Sequence, residues 1–516
     1  MATDLARLSF NEARRRVLQA GAGALGAALS PAALGRGKPS SSKSKSASGA
    51  LAASFADVRE RYGPTRLTLR GRWPDELQGV LYRNGPARFA RGDTRYAHWF
   101  DGDGMVHAYR FANGSIEHQA RMVATERSVA EERAGRFLWN GFGTRFADAR
   151  PTRSPENMNV ANISVLPMGD EVLALWEAGA AWRLDGTSLA TLGRRNWSDA
   201  TTAAPFGAHP RVDPDGRIWN IGYLAGSGKL LIYDIAASGN LQRHAMIETA
   251  NADMVHDFAV TEHYLVLLLT PLEFRRDDTL AFADALHWQP GKPNQLVLVD
   301  KHSLRVARRF DAPPGFFFHL GNAFEDGGSL RLQVMNGPPY DMLMRAVRQA
   351  TAGHAIAPLQ STIASELVVD LANGRVRVHD LPLRDSDFPA WDLHRTGRAT
   401  DQLVSLGASD ALGKEVFGFD TVQVFDRRDE RVRRFSYDDH SLAEEHLFIA
   451  RPNAASGEGW ILGSRYDWSA SVTKLALFDA RRVEHGPIAE AELPYGLPLG
   501  LHGRFVGQGP MAGRRA

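Results

Sequence analysis

Four histidines stand out because of the sequence around them. His209, His256 and His319, three of the 17 histidines in the chain, each begin a short extended stretch that meets a turn four to seven residues later. An apolar strand follows each turn, and His502 lies in a Gly- and Pro-rich segment near the end of the chain. Neutral imidazole binds iron, zinc, copper or nickel well. If the fold brings these four side chains together, they form an all-histidine metal site.

An all-histidine site leaves the charge of the metal uncompensated by its ligands. It therefore calls for nearby carboxylates that hold each ring through its other nitrogen. The chain contains no cysteine, which excludes thiolate zinc sites, iron–sulfur clusters, disulfides and a cysteine nucleophile. It also shows no convincing Ser-His-Asp elbow or paired-carboxylate motif, so nucleophilic or acid–base catalysis is not predicted.

A repeated strand pattern supplies the elements that position these histidines. An apolar strand ends in Asp, a short turn follows and a second alternating strand begins, with a mean spacing of about 61 residues. An earlier copy has Ala112 in place of the Asp. The Asp side chain is predicted to bond the backbone of its turn. The six Asp positions are Asp185, Asp234, Asp300, Asp370, Asp426 and Asp479.

Seven such copies without helical crossovers predict an all-β fold. We expect a seven-bladed β-propeller, with loop and helix insertions capping one face. A pair of β-sandwich domains is the alternative, but no composition break near the middle of the chain marks a linker. The innermost strands of a propeller converge on its axis, and His209, His256 and His319 each precede a repeat. Four histidines on one axis would be costly as unpaired core residues, which favours a metal site.

The positive charge of the chain lies at its N-terminus. The 516 residues carry a net charge of +2, but the first 50 hold eight of the 61 basic residues and two of the 59 acidic ones, so the remainder carries −4. A nucleic-acid partner is therefore not predicted. Residues 1–33, with paired arginines before Val17 and Leu18, predict a twin-arginine-type signal peptide and export to the periplasm. A disordered basic tail is the alternative. Residues 34–56 predict a flexible linker, and 57–516 the propeller domain.

Two further motifs lie early in the predicted propeller: Leu81-Tyr-Arg-Asn-Gly-Pro86 and His98-Trp-Phe-Asp-Gly-Asp-Gly-Met-Val-His107. With the four histidine settings, which follow in order, they resemble the carotenoid cleavage oxygenases, the family of the retinal pigment epithelial membrane protein. The resemblance covers roughly residues 57–507. It implies a seven-bladed propeller with one Fe(II) per subunit, bound by the four histidines listed above.

The resemblance also implies three carboxylates that hydrogen-bond three of the ligands. Glu177 matches the first, and Glu445 the third, with Glu444 as a competing alignment. The second is Glu in the family's Glu-Phe-Pro, whereas this chain has Asp387-Phe-Pro. The shorter Asp would have to lie closer to its ring or bond it through water.

The implied activity is cleavage of a C=C bond by O2, with O2 as co-substrate and two carbonyl compounds as products. The family divides between polyenes and hydroxystilbenes, and stilbene cleavers carry a Lys where this chain has Trp176, which favours a carotenoid or apocarotenoid over a stilbene. Trp176, Phe316 and Phe317 are candidates for an apolar tunnel. The remaining alternatives are a Ca²⁺-dependent propeller hydrolase or lactonase and a non-catalytic binding propeller.

A helical insert follows Pro339. Its apolar residues Met342, Leu343, Ala346 and Val347 fall on one helical face. This face predicts either peripheral membrane contact that collects an apolar polyene or aryl-alkene substrate, or a surface helix packed on the propeller.

Overall fold

The computed structural model describes residues 52–507, apart from Ala203, Asp278, Asp439 and Asn453. The predicted signal peptide lies outside the described residues and stays a prediction. The last five residues of the predicted linker, 52–56, are within them, and the side chain of Phe55 is fully buried against Phe89 and Trp99. The linker boundary at residue 56 is therefore too late, because an aromatic side chain just before it already belongs to the core.

Short strands make up most of the regular secondary structure in the described chain. In chain order they are β1 (Arg61–Arg66), β2 (Thr68–Gly71), β3 (Gly79–Arg88), β4 (Ala90–Arg91), β5 (Thr94–Arg95), β6 (Asp103–Ala112), β7 (Ser115–Met122), β8 (Ser164–Met168), β9 (Glu171–Leu175), β10 (Trp182–Asp185), β11 (Thr191–Arg194), β12 (Arg211–Val212), β13 (Ile218–Tyr223), β14 (Lys229–Ile235), β15 (Leu241–Glu248), β16 (Ala259–Val260) and β17 (Tyr264–Leu269). They continue as β18 (Leu272–Phe274), β19 (Leu286–Trp288), β20 (Asn294–Asp300), β21 (Val306–Ala312), β22 (Phe316–Asp326), β23 (Ser329–Gly337), β24 (Ile363–Asp370), β25 (Val376–Arg384), β26 (Asp387–Ala390), β27 (Gln402–Gly407), β28 (Thr421–Asp426), β29 (Arg431–Ser436), β30 (Ser441–Ala450), β31 (Gly459–Asp467), β32 (Val472–Asp479), β33 (Ala489–Glu492) and β34 (Gly503–Gly507).

These strands form seven antiparallel blades, so the predicted seven-bladed propeller is confirmed. The blades are β34-β3-β6-β7-β1, β8-β9-β10-β11, β12-β13-β14-β15, β16-β17-β20-β21, β22-β23-β24-β25, β26-β27-β28-β29 and β30-β31-β32-β33-β2. Both ends of the described chain close the ring. The C-terminal β34 adds to the first blade beside β3, and the N-terminal β2 adds to the last blade beside β33.

The position of a strand in its blade explains its sequence. Middle strands are covered on both faces and read as continuous apolar runs, as in β17, where five of the six residues are buried. Outer strands alternate, and β15 exposes every second residue. Apolar side chains from adjacent blades share one core, for example Val266 and Leu298 of the fourth blade with Leu332 and Leu367 of the fifth.

The repeated Asp bonds its turn in five of the six copies. The backbone N–H of Ser188 donates to Asp185 over 2.7 Å, and that of Ser303 donates to Asp300 over 2.6 Å. Asp370, Asp426 and Asp479 accept from their turns in the same way. Asp234 departs from the prediction, because its buried carboxylate binds the guanidinium groups of Arg217 and Arg243 instead.

Helices and short 3-10 segments occupy connections between strands. Helix α1 (Glu126–Ala134) begins at a Thr125 cap and ends at Gly135 in the left-handed conformation. Helix α2 (Tyr340–Thr351) is the predicted insert after Pro339. The 3-10 helices are Trp99–Asp101, Pro155–Asn157, Asp199–Thr201, Phe282–Ala285, Leu393–Arg395 and Val483–His485.

The apolar face of α2 packs on the propeller. Within residues 52–507, no helix has both the length and the apolar character needed to cross a bilayer. Of the two alternatives for the insert, the structure shows a helix packed on the propeller. Met342 of the predicted face is only partly buried, and peripheral membrane contact stays a prediction. The packed residues are Tyr340, Leu343, Met344, Ala346, Val347 and Ala350.

The acidic motif between Phe100 and Met105 contributes a buried carboxyl group. Asp101 accepts hydrogen bonds from the Gly143 N–H over 3.0 Å and from the Thr144 hydroxyl over 2.5 Å, and its side chain is almost fully buried. Burial raises the pKa of Asp101 to about 6, although these hydrogen bonds oppose the rise. The folded protein therefore holds this proton more tightly than the unfolded chain does.

We expect Asp101→Asn to change how stability depends on pH. Because the pKa is raised on folding, the stabilisation from the bound proton is complete below about pH 4 and is lost as the pH rises through about 6. The free energy of unfolding of the native protein should fall, relative to that of the variant, by up to about 3 kcal/mol over this interval. Urea unfolding midpoints of both proteins between pH 4 and 7 test this. A difference that does not vary with pH would contradict it.

Candidate metal centre

Four imidazole rings meet on the axis of the propeller. His209 lies just before β12, His256 shortly before β16, His319 within β22 and His502 just before β34. One nitrogen from each ring lies within 4.8 Å of the others. The Nε2 atoms of His209 and His256 are 2.9 Å apart, and those of His256 and His319 are 3.3 Å apart. The structure thus brings together all four predicted ligands, from the third, fourth, fifth and first blades.

A carboxylate holds the outer nitrogen of three rings. The Nδ1 atom of His256 lies 2.9 Å from Glu177, that of His319 lies 2.7 Å from Asp387, and that of His502 lies 2.9 Å from Glu445. Among the described residues, no group makes a hydrogen bond with Nδ1 of His209. All three predicted carboxylates therefore lie beside ligands, and Asp387 reaches its ring directly, without a bridging water.

The carboxylates are themselves fixed. The Gly503 N–H donates to Glu445 over 2.7 Å, and the Phe388 N–H donates to Asp387 over 2.8 Å. The Tyr223 hydroxyl lies 3.4 Å from Glu177. The competing Glu444 lies outside the centre, since it accepts from the Ser464 hydroxyl and the Gly500 N–H. The orientation of each of these three rings is thus set by two successive contacts, from the ring to a carboxylate and from the carboxylate to a further group.

The hydrogen bonds determine which nitrogen can bind a metal. A carboxylate accepts the Nδ1–H of its histidine, which leaves the lone pair of Nε2 directed at the common centre. Lone pairs on Nε2 atoms 2.9 and 3.3 Å apart repel one another unless a cation lies between them. Four neutral nitrogen donors backed by three carboxylates fit a divalent transition metal, iron among them. The donor set offers no oxygen ligand of the kind that Ca²⁺ prefers.

The protonation states agree with this fit except at His319, where burial lowers the pKa but the charge and hydrogen bond of Asp387 outweigh it, so that the pKa is raised. Burial, together with the neighbouring imidazoles, holds the pKa of His209 well below its usual value, and burial also lowers the pKa of His502 despite Glu445. Burial alone would raise the pKa of Asp387 and of Glu445, but the rings they contact hold both pKa values below the ordinary range. Neutral imidazoles and ionised carboxylates are the forms that metal binding requires.

Aromatic rings cover the centre. The Phe318 ring lies 4.0 Å, centroid to centroid, from His256, and the Phe388 ring lies 5.2 Å from both His319 and His502. Phe388 adopts the left-handed conformation, with φ of 54°, which is unusual for a bulky residue. Its strain is held in place by the packing of the ring on two ligands.

A row of partly exposed aromatic rings leads away from Phe318. Each ring lies near the next. The centroid distances are 6.0 Å between Phe318 and Phe100, 6.1 Å between Phe100 and Phe142, 5.9 Å between Phe142 and Phe282, and 5.0 Å between Phe282 and Phe274. These side chains are of intermediate exposure and form a continuous apolar row that begins at the centre.

The aromatic residues predicted for the tunnel are not part of this row and pack mostly in the apolar core. Phe316 is buried against Trp288 and Tyr340, and Trp176 is buried in the same apolar cluster as Trp99. Phe317 packs with the core shared by the fourth and fifth blades. Phe316, Phe317 and Phe318 nevertheless line one small cavity together with His256. Alternation along β22 explains why the ring that touches the ligand is Phe318.

Two arginines lie beyond the ligands. Arg211 follows His209 by two residues and pairs with Asp257 over 2.6 Å. Arg504 follows His502 by two residues and is partly exposed. Burial lowers the pKa of Arg504 to about 10, with the charge of Arg211 acting in the same direction and that of Glu445 opposing it. Sequence reasoning missed both arginines; their spacing from the ligands was the available signal.

Known proteins resemble this chain over the whole propeller. The family model described as retinal pigment epithelial membrane protein matches residues 55–507. Apocarotenoid-15,15'-oxygenase of Synechocystis sp. is 28% identical over 460 residues, which cover 85% of this chain and 92% of that protein. Isoeugenol monooxygenase of Pseudomonas putida is 26% identical over 455 residues, 85% of this chain and 93% of that one.

Solved structures of similar proteins have the same fold. The crystal structure of cobalt-substituted apocarotenoid oxygenase from Synechocystis matches with a TM-score of 0.80 at 26% identity, over 89% of this chain and 99% of that chain. The family match spans the first strand to the last and includes all four axial histidines. This chain therefore belongs to the retinal pigment epithelial membrane protein family, the family of the carotenoid and apocarotenoid cleavage oxygenases.

Proposed function

We propose that this protein is an Fe(II)-dependent dioxygenase that cleaves one C=C bond of a carotenoid or apocarotenoid. The observation that carries the proposal is the set of four Nε2 atoms converging on the axis, three of them backed by carboxylates. Bound iron would supply the activation of O2, so that one oxygen atom is added to each alkene carbon and two carbonyl products form.

The residues of the chain do three things for this reaction. Glu177, Asp387 and Glu445 hold the imidazoles in the tautomer that leaves Nε2 free. Phe318 and the aromatic row behind it exclude water and offer flat apolar surfaces along which a polyene can align. The site needs no proton donor for the reaction, which agrees with the lack of an acid–base pair beside the centre in the described part of the chain.

Cleavage of a smaller aryl alkene is the second candidate. It is supported by the similarity to isoeugenol monooxygenase, a protein named for a phenolic propenyl compound. Against it, Trp176 stands where a stilbene cleaver is expected to carry Lys, and its side chain is 7% exposed in an apolar cluster. The all-nitrogen donor set argues against the Ca²⁺-dependent hydrolase, and its carboxylate support argues against a non-catalytic propeller.

Turnover with defined substrates distinguishes these possibilities. The full chain is loaded with Fe(II) under anaerobic conditions and then given O2 with an apocarotenal, resveratrol or isoeugenol. We expect about one iron per chain and two carbonyl products from the apocarotenal, detected by mass spectrometry. Cleavage of only the phenolic compounds would favour the second candidate. Bound iron without carbonyl products from any substrate would contradict both.

A further inference from the structure

Arg504 carries a positive charge that nothing in the described part of the chain neutralises by contact. Its guanidinium makes no hydrogen bond and no ion pair with any residue among 52–507 that the structure describes. It is nevertheless partly exposed, so a small molecule can reach it. The carboxylates at the centre are all hydrogen-bonded, whereas this guanidinium is not.

The position of Arg504 follows from the strand that carries it. Residues i and i+2 of an extended chain face the same side and lie roughly 7 Å apart. His502 faces the axis, so the Arg504 side chain faces the axial channel one step beyond the four imidazoles. By the same spacing, Arg211 lies one step beyond His209. The two guanidinium groups are close enough for each charge to influence the other.

Arg211 is only partly satisfied. Its Nη2 donates to Asp257 over 2.6 Å and to the Leu320 carbonyl over 3.0 Å, and its Nε donates to the Phe258 carbonyl over 2.6 Å. The face of the guanidinium lies 4.9 Å from the ring of Trp391. No partner for Nη1 lies among the described residues. Arg211 therefore still has donors available next to Arg504.

The nearby carboxylates make their hydrogen bonds to groups other than Arg504. Both oxygens of Glu445 are used, one by the His502 ring and the other by the Gly503 N–H. Both oxygens of Asp257 are used as well, by Arg211 and by the backbone N–H groups of Phe258 and Leu320. This part of the channel therefore holds two guanidinium groups with unused N–H donors, beside carboxylates that already accept hydrogen bonds from other groups.

We propose that the axial channel beyond the four histidines binds a small planar oxyanion, a carboxylate or bicarbonate, between Arg504 and Arg211. The planar fork of a guanidinium matches the two oxygens of such an anion. The occupied site would add one negative charge on the axis, roughly 7 Å along the strands from the ligands. The site uses none of the metal ligands and does not depend on the proposed reaction.

Calorimetric titration of the full chain with sodium formate at constant ionic strength tests the proposal. We expect one saturable site that bicarbonate competes for and chloride does not. Arg504→Leu should weaken formate binding at least 10-fold. Arg504→Lys keeps the positive charge but lacks the planar fork, so its affinity for formate should lie between those of the native protein and Arg504→Leu. Arg377→Leu is the matched control, since Arg377 is an exposed arginine on the outer strand β25. It should bind formate as the native protein does.

A further variant separates this site from the metal centre, because formate is also a metal ligand. His256→Ala should still bind formate if the anion lies at Arg504. Three results would overturn the proposal: no saturable binding to the native protein, equal binding to Arg504→Leu and the native protein, or binding that His256→Ala abolishes and Arg504→Leu retains. If chloride competed with formate as strongly as bicarbonate does, the site would not be selective for a planar oxyanion, and that part of the proposal would be overturned.

Discussion

Replacing His256 by alanine is expected to abolish stoichiometric iron binding and, with it, oxygen-dependent cleavage. The Nε2 atom of His256 lies 2.9 Å from that of His209 and 3.3 Å from that of His319, so it is close to two other ligand nitrogens. Its removal takes away one of four nitrogen donors. It also leaves the buried Glu177 carboxylate without its main partner. Because loss of a supporting residue alone typically weakens metal binding 10–100-fold, loss of the ligand should weaken it by at least about 100-fold.

The matched control is His263→Ala, seven residues further along the same blade. His263 also contacts a carboxylate, 2.9 Å from Glu325, but its side chain is 64% exposed at the surface. Iron content per chain, measured after identical loading of the native protein and both variants, compares the two histidines directly. We expect about one iron for the native protein and His263→Ala, and almost none for His256→Ala. Equal iron content in the two variants would rule out His256 as a ligand.

The blades and the four histidines could be predicted from sequence because their signals are local. A strand, its Asp and its turn lie within a few residues, and this unit recurs around the ring with a mean spacing of about 61 residues. His209, His256 and His319 precede successive repeats, so counting repeats already assigns them to neighbouring blades. The one Asp that binds arginines instead of its turn, Asp234, shows the limit of this reasoning. Its partners come from the two strands that flank it, which the turn sequence does not reveal.

The pairing of carboxylates with ligands could not be read from the chain. Glu177 precedes His209 in the sequence but holds His256, since the residues that meet at the axis belong to different blades. The ring that covers the centre is another such case. Phe316, Phe317 and Phe318 are chemically equivalent in sequence, and only the register of β22 directs Phe318 at His256. Contacts of this kind depend on closure of the ring, which no local pattern encodes.

Asp387→Asn is expected to weaken metal binding 10–100-fold while leaving the fold intact. The Asn oxygen can still accept the Nδ1–H of His319 at the present distance of 2.7 Å, so the ring keeps its place. What is lost is the negative charge behind the ligand, which stabilises positive charge on the ring and the metal. Titration of the metal-free full chain with Co²⁺, followed by absorption, gives the affinity and the ligand field together. Glu445→Gln makes the same change behind His502 and should weaken binding by a similar factor.

Asp387→Glu, which restores the residue expected from the family's Glu-Phe-Pro, should fail to strengthen metal binding. Asp387 already reaches His319 directly, and the same oxygen accepts the Phe388 N–H over 2.8 Å. One more methylene would have to push either the ring or the backbone. The backbone cannot yield easily, because Phe388 holds a left-handed φ of 54° and its ring lies against both His319 and His502. Affinity for Co²⁺ should stay equal or fall. Tighter metal binding by Asp387→Glu would contradict this prediction. It would show that the Asp387 side chain is too short to support His319 fully, despite its direct contact with the ring.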